Sequence, residues 1–141
     1  MSAAAGGLGP ELDAAVSEAL GALAFADVVP TGAPVPLPEP GSAVSIPLLG
    51  PLAGVLVLCL REDHADALTA AAWGALAQGG GAELREMFLF ELANVVAGRV
   101  LALRYPGEPI RIGFPRMLDR SAWPSADALR GYELDSGARF G

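Results

Sequence analysis

Ala82 to Arg104, AELREMFLFELANVVAGRVLALR, is the one stretch of this chain whose composition sustains about six turns of helix without a proline. Gly79, Gly80 and Gly81 close it off in front, and Tyr105-Pro106-Gly107 stop it behind. At ~100° per residue, Met87, Leu89, Phe90, Leu92, Ala93, Val96, Ala97, Val100 and Leu101 spread around most of the circumference. A helix apolar nearly all round is normally buried, so the other elements are expected to cover this one.

Two polar residues interrupt that surface. Glu91 and Asn94, the only asparagine in the chain, lie three residues apart and so face the same way, roughly 60° from each other around the axis. A carboxylate and a carboxamide buried without partners cost several kcal/mol. Either they satisfy each other inside the core, or they mark the place where the helix reaches the surface.

The run Glu91-Leu92-Ala93-Asn94-Val95-Val96-Ala97-Gly98 resembles the signature helix of the CheC/CheX/FliY family of chemotaxis phosphatases, in which E-x-x-N is followed four residues later by a glycine. The resemblance extends over residues 10 to 118. Gly98 weakens a helix interior by about 1 kcal/mol relative to alanine, which suggests that something packs closely against it. Some family members carry E-x-x-N in both halves. The first helix of this chain offers Glu11 and Glu18 but no asparagine, and both glutamates read as solvated helix charges. This single-motif arrangement is closer to CheX than to CheC.

The resemblance implies a protein substrate, a phosphorylated CheY-like receiver domain whose acyl phosphate sits on an aspartate. Asn94 is then the catalytic candidate, because an amide accepts from and donates to an attacking water without becoming charged. Glu91 is the second catalytic-site candidate, placed first to pair with a lysine of the partner by a charge-assisted bond and second to aid activation of the water. Gly98 is structural within the motif helix. The regulator brings its own Mg2+, so this chain is expected to need no cofactor of its own. The resemblance also implies a possible homodimer through a sheet edge or helix face. The alternatives are a non-catalytic chemotaxis or flagellar-switch adaptor that binds a response regulator, and an unrelated α+β protein whose Glu91 and Asn94 bond only to each other or to the backbone.

Composition narrows the remaining classes. The 141 residues carry 52% hydrophobic and 18% charged side chains, which fits one domain spanning 10–141 behind a flexible N-terminus of 1–9. The apolar run Ile46 to Leu60 is broken by Pro47, Gly50, Pro51 and Gly54, so it reads as two strands and not a membrane span. The opening residues MSAAAGGLGPEL hold no base and no signal-type apolar core, and the expected compartment is the cytoplasm. All nine cationic residues are scattered arginines against a net charge of −7, which argues against nucleic acid. Cys59 reads as a small buried hydrophobe. His64 is the single histidine and reads as a solvated residue near a helix start, leaving too few parts for a catalytic triad or a zinc site.

The rest of the chain reads as α+β. Pro10 suits the first turn of a helix with Leu12, Val16, Leu20 and Leu23 on one stripe. Residues 25 to 29 read as a short strand, and Pro30 to Pro40 as an exposed connector. Ala43 to Leu49 and Leu52 to Arg61 read as a hairpin turning at Gly50-Pro51. A helix follows from an Asp63 N-cap to about Gln78. Ile110 to Leu118 reads as a strand with a proline soon after the motif helix, a weaker match to the family. Tyr132 to Leu134 and Ala138 to Phe140 read as a short hairpin where the family has longer paired strands. The expected fold is a two-layer domain, an antiparallel sheet from 25–29, 43–61 and 109–118 covered by three helices.

Overall fold

A computed structural model describes residues 8–32, 35–74, 81–125, 129–134 and 139–141. In chain order they form α1 (Gly9–Ala24), β1 (Val28–Pro30), β2 (Gly41–Gly50), β3 (Gly54–Arg61), α2 (Glu62–Trp73), α3 (Gly81–Arg104), β4 (Arg111–Ile112), β5 (Arg116–Met117), a 3-10 turn (Arg120–Ala122), β6 (Tyr132–Leu134) and β7 (Arg139–Phe140). The fold is α+β, with antiparallel strands packed against three helices.

The centre of the sheet is the β2–β3 hairpin. Its register sets Val44 opposite Leu58, Ile46 opposite Leu56 and Leu48 opposite Gly54. Residues directly opposite share a face, and Val44, Ile46, Leu48 and Leu58 join the core formed with the helices. The alternate residues Ala43, Ser45 and Cys59 are also buried, so this hairpin is covered on both faces.

Part of the second covering lies in the proline connector. Arg120 donates to the Pro38 carbonyl (2.6 Å), pairs with Glu39 (3.2 Å) and stacks over the Trp123 ring at 4.1 Å. Val35 is buried and Pro38 presses on Gly41, where an added Cβ would meet Pro38 Cβ at 2.7 Å. The connector is therefore not the fully exposed segment expected from its prolines; long-range contacts hold it down.

Several boundaries differ from the sequence reading. Phe25 is not in a strand: it takes a left-handed conformation (φ 55°) that closes α1, with Ala26 N donating to Leu20 O. β1 begins at Val28 and belongs to a second three-stranded sheet, β1-β6-β7, not to the hairpin sheet. Reciprocal backbone bonds between Cys59 and Gly141 (2.7 and 3.2 Å) tie the two sheets together. The expected strand over 110–118 is two short ones, β4 and β5, both on β2. Between them Gly113 passes so close to Pro47 that a Cβ would lie 2.8 Å away.

The second helix starts at Glu62 with Arg61 as its cap, and Asp63 sits in the first turn bonded to Arg61 Nε (3.0 Å). It ends at Trp73, and the expected continuation over 75–78 lies outside the described residues. The terminal hairpin is present in β6 and β7, while its turn, 135–138, is also outside them. The same holds for most of the N-terminal 1–9 segment.

Candidate functional site

α3 is held by packing on both sides. Phe88, Leu89, Leu92, Ala93, Val96, Ala97, Val100 and Leu101 are buried against α1, α2 and the hairpin. At ~100° per residue these eight occupy an arc of about 220° and leave about 140° open. Trp73 of α2 meets Phe88 edge-on with centroids 5.8 Å apart. Arg85 pairs with Asp66 of α2 (3.0 Å), and Arg99 pairs with Glu18 of α1. The sequence made this helix apolar nearly all round; the fold covers only part of it.

The open arc contains both residues of the motif. Glu91 is exposed and Asn94 is half-buried. Helical spacing puts their Cβ atoms about 5–6 Å apart. Neither side chain makes a hydrogen bond or ion pair to any described residue. The pair is therefore not the self-satisfied core contact of the unrelated-protein alternative: the positions are solvent-facing and their donor and acceptor groups are available.

Gly98 follows one turn beyond Asn94. Among the described residues the expected close packing is not found: an added Cβ would meet Ile110 Cδ1 at 3.8 Å, an ordinary contact. Met87, one turn before Glu91, is 53% exposed although the sequence counts it among the core residues, and Ile110 is 37% exposed. Exposure of these two apolar side chains depends on which arc of α3 is left uncovered, so periodicity alone did not single them out.

The charges of the first helix are less free than their sequence suggests. Glu18 bonds Arg99, and that hydrogen bond, more than the attendant charge, holds its carboxyl below the usual range. One oxygen of Glu11 is buried without a hydrogen-bond partner among the described residues. His64 is likewise not a solvated residue: its ring is 24% exposed and Nδ1 is buried without such a partner. Burial pushes the Cys59 thiol up to about 11, against a smaller opposing effect of Arg120. No three metal-ligating side chains come together among the described residues. No helix among them is long and apolar enough to cross a membrane.

No family model matches the sequence, and no curated protein does either. Solved structures do. CheX from Vibrio vulnificus aligns with TM-score 0.71 at 15% identity, covering 94% of this chain and 92% of its own. A chain of the CheX–CheY–BeF3–Mg2+ complex from Borrelia burgdorferi aligns with TM-score 0.69 at 16% identity, covering 93% and 92%. FliY from Thermotoga maritima aligns with TM-score 0.61 at 13% identity, covering 99% and 86%. The fold of this chain is that of CheX, CheC-like and FliY chemotaxis proteins.

Proposed function

We propose that this chain is a CheX-like phosphatase that accelerates hydrolysis of the aspartyl phosphate on a CheY-type response regulator. The observation that carries the proposal is the outward-facing pair on α3: Glu91 is exposed, Asn94 half-buried, and neither is bonded within the described chain. Their E-x-x-N-x-x-x-G setting and the fold shared with a CheX found in complex with CheY, BeF3 and Mg2+ support it.

On this reading the regulator docks against the open arc of α3. Asn94 enters its active centre, and the amide holds a water in line with the bond between phosphorus and the aspartyl oxygen. The water attacks phosphorus, the aspartate leaves as carboxylate, and inorganic phosphate departs. The nucleophile is that water, so no side chain of this protein attacks phosphorus; Mg2+ held by the regulator would supply neutralisation of the phosphoryl charge. Glu91 anchors a lysine of the regulator and fixes the docking register.

The test is acyl-phosphate decay on purified phosphorylated receiver domains from the same genome, timed with and without this protein. Faster decay that disappears in Asn94→Ala supports the proposal. Near-normal turnover by Asn94→Ala removes that residue from the mechanism, and binding without any change in phosphoryl lifetime favours the adaptor.

A further inference from the structure

Gly98 has no neighbour among the described residues close enough to require a glycine. A glycine in mid-helix weakens the helix, and the usual compensation is a neighbour too close for a Cβ. Outside the helices, such close approach accounts for Gly41 of β2 and for Gly113 between β4 and β5, where a Cβ would meet proline carbons at 2.7 and 2.8 Å. At Gly98 the nearest atom is Ile110 Cδ1 at 3.8 Å, so alanine fits without displacement.

The position is nonetheless set apart by what shares its side of the helix. Met87, Glu91, Asn94 and Gly98 fall within about 60° of one another in the uncovered arc of α3. Met87 stands at one end, 53% exposed, and Ile110 lies beside Gly98 at the other, 37% exposed. The twelve residues from Met87 to Gly98 span about 16 Å of helix. A polar pair flanked by exposed apolar side chains is the arrangement that excludes water once a partner is seated. The Glu91 carboxylate, without a partner among the described residues, asks for a cation on that partner.

We infer that Gly98 is a specificity-determining position for receiver docking. The missing side chain leaves clearance one turn beyond Asn94 through which the receiver's backbone approaches, with Met87 and Ile110 sealing the two ends. This rests on the phosphatase reading of the site and adds to it the shape of the surface that selects the partner. Gly98 lowers helix stability in exchange for that approach, the trade between stability and function that binding sites commonly show.

The test is the affinity of a CheY-type receiver domain from the same genome, activated with beryllofluoride and Mg2+, a measurement independent of hydrolysis. The Gly98→Ala protein is expected to unfold at higher denaturant concentration than wild type yet bind about tenfold more weakly, equivalent to about 1.4 kcal/mol. Met87→Gln is expected to weaken binding severalfold with its unfolding midpoint unchanged. In turnover assays both changes should raise KM and leave kcat near wild type. Wild-type affinity in Gly98→Ala overturns the inference while leaving an Asn94-dependent phosphatase intact. Failure of every activated receiver to bind wild-type protein overturns the site reading, and this inference with it.

Discussion

Arg130 grips the carboxylate of Asp13 with both arms of its guanidinium, Nε to Oδ1 at 2.6 Å and Nη2 to Oδ2 at 2.7 Å, across 117 residues of sequence. The Tyr132 hydroxyl donates to the same Oδ1 at 3.0 Å. This cluster fastens α1 to the segment leading into β6, and so joins the second sheet to the helical layer.

Asp13→Asn should therefore destabilise the protein by about 1–2 kcal/mol at neutral pH, the range of a charge-assisted hydrogen bond discounted for partial exposure. The Asp13 carboxyl is held below its ordinary value of 3.8, chiefly by the Arg130 hydrogen bond, with burial opposing and Tyr132 assisting. A depressed folded-state value stabilises the protein above the unfolded value, and that stabilisation is lost as pH falls through the folded one. Denaturant titrations should show wild type and Asp13→Asn converging in stability as pH drops from about 4 downward.

Cys59 should be inert in the native state. A thiol raised to about 11 carries roughly two-hundredfold less thiolate at pH 8 than one titrating near 8.5, and its side chain is fully buried. Alkylation by iodoacetamide should be at least that much slower than for a free cysteine, and unfolding should restore the normal rate. Rapid native labelling would mean that β3 opens far more readily than its packing implies.

Asn94→Ala and Glu91→Ala should separate activity from folding. Both positions lie outside the packed arc, so unfolding free energies should stay within about 0.5 kcal/mol of wild type. Loss of the water-positioning amide should lower kcat by about two orders of magnitude. Loss of the Glu91 anchor should instead raise KM by about tenfold or more. An Asn94→Ala protein that both unfolds early and loses activity would place the residue in the scaffold.

Phe88→Ala should cost about 3–5 kcal/mol. Phe88 is fully buried and meets the Trp73 edge, so its removal opens a void between α2 and α3. Chemical denaturation measures the loss, and regulator binding should fall in parallel as α3 loses its seat. A loss under 1 kcal/mol would show that α2 collapses onto the gap.

The sequence by itself determined the length of α3, the hairpin, the α+β class and the E-x-x-N-x-x-x-G pattern. Each is a local property, written in periodicity, in glycine and proline stops, or in adjacent residue types. Only the tertiary structure decided which arc of α3 stays open, and with it that Glu91, Asn94 and Met87 face outward while Leu89 and Val96 do not. It also decided that Glu18 meets Arg99 and Asp13 meets Arg130, and that β1 pairs with β6 and not with the hairpin. The physical reason is one of range: an apolar helix can be covered from any side at similar cost per unit area, so its exposed face is fixed by where distant elements come to rest.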